Sequence, residues 1–261
     1  MPGVAYDVRG SGEPVLLIAP AATRSQVWQL HQVPALVAAG YQAVTYDHRG
    51  TPPSPAPGPA GLADLVADAA VLIASLGLAP CRVVGASLGA LVAQELAGTR
   101  PDLVRAAVLM GTRYRTDFYR TVLAHAMAGA VRDGESEGAP DVEAVWAMSR
   151  LFSAATLADD RAAADWYSVL RASPLRGAAA AAQYEAAIIP DRSAVLRTIR
   201  QPCLVIGFAE DVITPPGQCR DVAAVIPGAR YVEISDCGHF GFLEQPETVN
   251  AVINEFFRAG R

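Results

Sequence analysis

The 261-residue chain is 52% hydrophobic and carries a formal net charge of −5, a composition that favours a globular protein with a large core. It contains no basic block, so we expect no nucleic-acid partner. Its apolar stretches are too short to cross a bilayer and its first residues lack a secretory signal pattern. We therefore expect a cytoplasmic protein without membrane contacts. Lysine is absent, which excludes Schiff-base, pyridoxal phosphate and P-loop chemistry.

The four cysteines, Cys81, Cys203, Cys219 and Cys237, are scattered and show no C-x-x-C spacing. This pattern predicts free thiols in a reducing compartment. No cluster of cysteine, histidine and carboxylate residues is visible along the chain. We therefore expect neither a metal nor a cofactor.

Short apolar runs rich in β-formers alternate with helical patterns along most of the chain. Most of the runs are continuously apolar, which is typical of parallel strands covered by helices on both faces. We predict strands over 14–20, 42–47, 81–86, 105–112, 202–208 and 229–235, and helices that include 62–76, 88–98 and 246–257. The alternation indicates an α/β fold with a mostly parallel, doubly wound sheet.

The alternation is interrupted once, between residues 113 and 198, where the chain is helical, alanine-rich and dotted with aromatics. We interpret this stretch as a helical cap inserted between two core strands. The core then comprises 1–112 and 199–261. Within the cap, residues 132–141 ("RDGESEGAPD") are predicted to form a solvated loop.

Ser87 lies in "GASLG" (85–89), a G-x-S-x-G pattern placed directly after a predicted strand and before a predicted helix. A sharp turn between strand and helix exposes such a serine, and its neighbours must be small for the two elements to approach. The following helix directs its amide dipoles at the site. Ser87 is therefore a candidate nucleophile.

A serine needs an imidazole base, which in turn needs an orienting acid. Of the four histidines, His239 fits best because it lies in a glycine-flanked loop after a strand. His31 and His125 lie in helical patterns, and a structural hydrogen bond is expected for His48. Asp211 is the candidate acid, since it also follows a strand. Glu210 is its neighbouring competitor, and Asp236 is too close to His239 in sequence to orient the ring.

The sequence resembles the α/β-hydrolase family nearly from end to end, and its cofactor-free esterase, thioesterase and haloperoxidase-like branch in particular. The resemblance rests on the leading hairpin and third strand ("YDVRGSGEPVLLIAP"), a turn ("YDHRGTPPS"), the nucleophile elbow ("VVGASLG"), the acid loop ("IGFAEDVITPP") and the histidine loop ("SDCGHFGFLEQPE"). It implies a Ser87, Asp211 and His239 triad in the family's chain order. It also implies an oxyanion hole formed by the backbone N–H groups of Leu88 and Ala21.

Two segments depart from the family pattern. Ala19 and Pro20 stand where the family usually has His-Gly, and the fixed φ of proline bears on the placement of the next residue, Ala21. Pro52 replaces a family glycine in a turn that also contains Pro53, Pro55 and Pro57, which we interpret as a rigid structural variation.

The resemblance implies a serine hydrolase that cleaves a small apolar or aromatic ester or thioester through an acyl-enzyme. The same residues could also support other reactions. The alternatives are perhydrolysis of the haloperoxidase type, C–C bond cleavage, and cyclisation or elimination. A non-catalytic ligand receptor is a third class of function. The expected partner is a small-molecule substrate. Arg113 and Arg115 could meet a substrate carboxylate, although a solvated surface position is favoured for both.

Overall fold

The computed structural model describes residues 3–55, 58, 60–132, 140–172 and 175–260. Seven strands form one sheet. They are β1 (Tyr6–Arg9), β2 (Glu13–Ile18), β3 (Tyr41–Tyr46), β4 (Cys81–Ala86), β5 (Val104–Met110), β6 (Cys203–Phe208) and β7 (Arg230–Ile234). The last six correspond to the six predicted strands, with ends that coincide or differ by at most two residues.

Twelve α-helices occur in the described residues. They are α1 (Gln32–Ala38), α2 (Leu62–Ser75), α3 (Leu88–Thr99), α4 (Phe118–Arg132), α5 (Pro140–Leu151), α6 (Ala154–Ala158), α7 (Asp160–Ala172), α8 (Ala178–Ala186), α9 (Ser193–Leu196), α10 (Pro216–Val225), α11 (Gly241–Glu244) and α12 (Pro246–Ala259). A 3-10 helix, Ser25–Gln29, precedes α1.

The strand order in the sheet is β1-β3-β2-β4-β5-β6-β7. All neighbouring pairs are parallel except β1 and β3. In the described residues only one strand, β1, precedes β2, so the hairpin expected ahead of the 14–20 strand does not occur there, and β1 pairs with β3. β2 already has parallel partners on both sides, β3 and β4, so β1 cannot pair with it and instead takes the outer side of β3.

Both faces of the sheet are buried. In β2, Leu16 and Ile18 contribute to the core on the side of α2 and α3. Val15 and Leu17, which point the other way, pack with residues of α1 and α12. This two-sided burial explains why the strands appear in the sequence as continuous apolar runs rather than alternating ones.

Helices α4 to α9 lie between β5 and β6, and the described part of 113–198 contains no strand. Within this segment α4 packs on α8, and α5 packs on α7. Three residues of the loop predicted over 132–141 are helical, because Arg132 ends α4 and α5 begins at Pro140, a residue suited to the first turn of a helix. The rest of that predicted loop, 133–139, lies outside the described residues, as does Pro57 of the proline-rich turn.

All four cysteines are free and buried. Burial raises the pKa of the Cys219 thiol to about 12, and the other three thiols are raised to about the same value. They are therefore protonated and unreactive at neutral pH. Across the described ranges, no group of three or more histidine, cysteine or carboxylate side chains could hold a metal ion. No helix there is both long and apolar enough to span a membrane.

Candidate active site

Ser87 occupies a strained turn between β4 and α3. Its backbone has φ 53° and ψ −117°, a conformation that non-glycine residues rarely adopt. The turn is held from the neighbouring strand, because the Ser87 N–H donates to the Met110 carbonyl at 2.9 Å. The surrounding structure thus enforces a conformation that presents the serine at the end of β4.

The two glycines of the G-x-S-x-G pattern are required by close backbone contacts. A Cβ on Gly85 would overlap the Gly89 carbonyl, and a Cβ on Gly89 would overlap the Ile18 carbonyl at the end of β2. The first turn of α3 therefore lies directly against the carboxyl ends of β4 and β2. Only residues without a side chain permit this approach.

Asp211 and His239 form a hydrogen-bonded pair, with His239 Nδ1 2.7 Å from Asp211 Oδ2. The other carboxylate oxygen, Oδ1, accepts the N–H groups of Ile213 at 2.8 Å and Thr214 at 2.7 Å. Both side chains are almost fully buried. Because the two amides fix one oxygen, the second is directed at the imidazole, which it can hold with the proton on Nδ1.

Ser87 and the Asp211–His239 pair lie at the same edge of the sheet, the one formed by the carboxyl ends of its parallel strands. They follow β4, β6 and β7, which are parallel and belong to the contiguous order β4-β5-β6-β7. A Cβ built on Gly111, the residue after Met110, would lie 3.4 Å from both Asp211 Oδ2 and His239 Cε1. The end of β5 thus contacts Ser87 on one side and the pair on the other.

The rival acids lie away from the imidazole. Glu210 is exposed, and its Oε2 accepts the Ala154 N–H at 2.9 Å. Asp236 is also exposed and has φ 56°, so it shapes the turn that leads to the histidine loop. The structure brings Asp211, and neither Glu210 nor Asp236, to Nδ1 of His239.

The other histidines lie elsewhere in the fold. His31 precedes α1, and His125 is exposed on α4. His48 is buried and, as expected, makes a structural hydrogen bond, with Nε2 2.9 Å from the Ala19 carbonyl. A carbonyl can only accept, so Nε2 carries the proton. Nδ1 of His48 is buried without a partner, and burial lowers the pKa of this imidazole.

Glu244 stabilises the histidine loop through hydrogen bonds. One oxygen of this carboxylate accepts the Gly238 N–H at 2.6 Å. The other accepts the N–H and hydroxyl of Ser153 at 2.8 and 2.7 Å and the Thr156 hydroxyl at 2.6 Å. Glu244 thereby joins the residue next to His239 to the start of α6.

The residues predicted for the oxyanion hole follow β2 and β4. Leu88 is the first residue of α3, where helix N–H groups lack intrahelical acceptors. Ala21 lies three residues beyond the end of β2, and the next residue, Ala22, has φ 49°. The Ala22 N–H donates to Gln183 Oε1 at 2.8 Å.

The surface position favoured for Arg113 is wrong. Its guanidinium is buried, and it donates to the Ala187 carbonyl at 2.7 Å and more weakly to the hydroxyls of Thr116 and Thr214. Burial lowers its pKa to about 10. These oxygen acceptors make the buried position tolerable, so Arg113 joins the segment after β5 to residues that follow α8 and β6. Arg115 is exposed, as expected.

An aromatic cluster lies beside the imidazole. Phe152 stacks on Trp166 at a centroid distance of 4.8 Å and meets Phe240 edge-on at 6.2 Å. The Phe240 ring lies 6.0 Å from the ring of His239. Three other aromatics of the 113–198 segment are exposed: Phe118, Tyr119 and Trp146. Apolar surface near the pair therefore comes from Phe152 and its neighbours rather than from all aromatics of the segment.

A cavity of about 560 Å³ lies between α2, α3 and the residues after α8. Its lining is mostly apolar and includes Leu62, Val66, Glu95, Ile188 and Arg192. None of the residues predicted for the triad or the oxyanion hole lines it, so it is separate from the edge that carries Ser87.

Sequence reasoning missed Gln183 and Glu244. Gln183 is the one amide side chain in the alanine-rich run "AAAAAQYEAA" (178–187), and a polar side chain in such a run is a signal for a specific contact. Glu244 lies in "FLEQPE", five residues after His239, but its contacts with Ser153 and Thr156 depend on tertiary structure.

A strained serine at a strand-to-helix turn and an Asp–His pair at the same sheet edge match the pattern of one family. The family model for the alpha/beta hydrolase fold matches residues 14–246. The chain belongs to the α/β-hydrolase family.

Relatives of the chain carry names from more than one reaction type. A Mycobacterium tuberculosis protein named "Putative non-heme bromoperoxidase BpoC" is 42% identical over 258 residues, covering 98% of both chains. The crystal structure of BpoC from strain H37Rv has a TM-score of 0.94 and 41% identity, covering 99% of this chain and 96% of the other. The rhodomycin D methylesterase DnrP of Streptomyces peucetius is 29% identical, covering 94% of this chain and 91% of its own.

Proposed function

We propose that the protein is a serine hydrolase that cleaves a small apolar or aromatic carboxylic ester or thioester. The observation that carries this proposal is the strained Ser87 turn at the sheet edge that also holds the buried Asp211–His239 pair. A serine hydroxyl, an imidazole and an orienting carboxylate are the three parts that acyl transfer requires.

In the proposed mechanism, Ser87 Oγ attacks the substrate carbonyl while Nε2 of His239 takes its proton. Asp211 holds the proton on Nδ1 and stabilises the imidazolium that forms. The N–H groups of Leu88 and Ala21 stabilise the oxyanion, and one such donor contributes about 10²- to 10³-fold in rate. His239 then gives its proton to the leaving group, and a water that it activates releases the acid.

We further propose that residues 113–198 act as a cap over this site. Its contacts with the edge support that role: the Phe240 N–H donates to the Leu151 carbonyl at 2.8 Å, and Glu244 binds Ser153. The Phe152 cluster beside His239 favours a substrate with an apolar or aromatic acyl or leaving group.

A panel of p-nitrophenyl esters and acyl thioesters tests the hydrolytic function. We expect turnover of at least some short-chain members and its loss in Ser87→Ala. If no ester or thioester is turned over at any acyl length, the hydrolytic proposal is wrong.

A second candidate is perhydrolysis, which the 42% identity to a protein named as a bromoperoxidase favours. Here hydrogen peroxide replaces water in the second step. Its oxygen attacks the acyl-enzyme carbonyl, the bond to Ser87 Oγ breaks, and a peracid leaves while His239 returns the proton to the serine. The peracid then oxidises bromide outside the site. The same residues serve both reactions, so the second nucleophile decides the outcome.

Bromination of monochlorodimedone in the presence of acetate, peroxide and bromide separates the two candidates. If perhydrolysis is the function, the rate of bromination exceeds the rate of acetate-ester hydrolysis at the same enzyme concentration. The bromination rate also depends on the acetate concentration. Hydrolysis much faster than bromination favours the first candidate.

A further inference from the structure

The loop after β2 is fixed at both ends by contacts from the turn after β3. At its start, the Ala19 carbonyl accepts His48 Nε2–H at 2.9 Å. At its end, the Ser25 N–H donates to Asp47 Oδ1 at 2.7 Å. The intervening residues include Ala21, whose N–H the family resemblance places in the oxyanion hole. This loop lacks the usual His-Gly, so other groups must set its conformation.

The middle of the loop is held by Gln183, which lies on α8 and is 2% exposed. Its Oε1 accepts the Ala22 N–H at 2.8 Å. Its Nε2 donates to Thr51 Oγ1 at 2.9 Å and to the Arg49 carbonyl at 3.3 Å. The amide orientation is unambiguous, since Ala22 offers only a donor and the Arg49 carbonyl only an acceptor.

Gln183 also stabilises an unusual backbone conformation. Ala22 has φ 49°, a left-handed conformation that is unfavourable for a residue with a Cβ atom. The bond from Gln183 favours that conformation over its alternatives. It also occupies the Ala22 N–H, which is therefore not the donor for an oxyanion. Ala21 lies between two fixed points, the Ala19 carbonyl bound by His48 and the Ala22 N–H bound by Gln183.

We propose that Gln183 is a positioning residue that fixes the loop after β2 and so aims the Ala21 N–H at the developing oxyanion. This inference rests on the proposed acyl-transfer function. Since α8 belongs to the 113–198 segment, the oxyanion hole is complete only when α8 is seated against the core. The segment therefore takes part in transition-state stabilisation as well as in covering the site.

Replacing Gln183 by Met keeps the side-chain length and removes all three hydrogen bonds. A displaced Ala21 N–H stabilises the transition state less without changing contacts to the bound substrate. With p-nitrophenyl butyrate we expect kcat to fall about 10- to 100-fold while KM changes by less than about 3-fold. Inhibition by a boronic acid, whose tetrahedral adduct uses the same hole, should weaken by a similar factor.

Two further variants separate positioning from folding. Gln183→Glu keeps an oxygen for the Ala22 N–H and, as the neutral acid that burial favours, one O–H donor for Thr51 Oγ1. Its kcat should therefore lie much closer to that of the unmodified protein than the kcat of Gln183→Met. Gln94→Met removes a second fully buried glutamine, which binds the Arg113 carbonyl and the Thr112 hydroxyl. That variant should lower the melting temperature and leave kcat within about 3-fold, because the lost bonds act on stability.

The outcomes distinguish the two proposals. A folded Gln183→Met with unchanged kcat and boronate affinity overturns the positioning role alone. An equal loss of kcat in Gln94→Met also overturns it, because the effect would follow from general destabilisation. If the unmodified protein turns over no ester or thioester, the proposed hydrolytic function fails, and the positioning role that rests on it fails with it.

Discussion

The substitution Asp211→Asn tests the proposed acid with almost no change in shape. In the folded protein Oδ1 of Asp211 accepts two N–H groups, from Ile213 and Thr214. An asparagine must place its carbonyl oxygen there, since its NH₂ group cannot accept them. Its NH₂ group then faces Nδ1 of His239 in the position that Oδ2 now occupies.

The consequence is the wrong imidazole tautomer. With a donor facing it, Nδ1 must act as acceptor, so the proton moves to Nε2 and His239 can no longer take the proton of Ser87. The imidazolium formed during attack also loses its carboxylate partner. The equivalent change in a serine protease lowers kcat by about 10⁴, which corresponds to about 5.5 kcal/mol of transition-state stabilisation. We expect a loss of about 10³- to 10⁴-fold here.

The neighbouring carboxylate supplies the matched control. Glu210 accepts one N–H, from Ala154, and a glutamine carbonyl can do the same, so Glu210→Gln should retain kcat within about 3-fold. Initial rates of p-nitrophenyl ester hydrolysis, with circular dichroism to verify folding, measure both variants. A larger loss in Glu210→Gln than in Asp211→Asn would refute the assignment of the acid.

Three further predictions concern stability. Burial holds the pKa of His48 below its ordinary 6.5, so the unfolded chain binds a proton on this imidazole more readily than the folded protein does. The free energy of unfolding should therefore fall as the pH drops below 6.5, which urea titrations at several pH values measure. A decline in His48→Gln that is no smaller than in the unmodified protein would contradict this prediction. Glu13→Gln leaves the buried guanidinium of Arg82 without its carboxylate partner and should lower the free energy of unfolding, measured by urea denaturation, by about 2–3 kcal/mol. The expected loss is smaller than for a fully buried pair because the Glu13 side chain is 25% exposed. A decrease below about 0.5 kcal/mol would contradict this prediction. Gly89→Ala forces a Cβ into the end of β2 and should lower the melting temperature sharply. Gly129→Ala places its Cβ in open space on α4 and should raise the melting temperature slightly. Similar shifts in the two variants would be evidence against the close contact between α3 and β2.

The sheet could be predicted because its strands are buried on both faces. A continuous apolar run such as 83–86 is then a strong local signal, and its place before a helix predicts a parallel strand. The pairing of β1 could not be predicted in the same way. Strand partners depend on which edges are already occupied, and this information is not local in sequence.

The candidate site shows a similar division. Ser87, Asp211 and His239 lie within five residues of the carboxyl ends of their strands, so a parallel sheet brings them to the same end, and this placement could be predicted from the sequence. The contacts that hold the site could not. The burial of Arg113 and the bonds of Gln183 join segments more than 70 residues apart, and no local pattern specifies such partners.

The central claim is that Ser87 is an activated nucleophile, and covalent labelling tests it most directly. The protein is treated with a fluorophosphonate probe and analysed by intact and peptide mass spectrometry. The account predicts one adduct per chain, located on Ser87, formed much more slowly in Asp211→Asn and absent in Ser87→Ala. Labelling that persists in Ser87→Ala, or a folded protein that the probe does not modify, would contradict it.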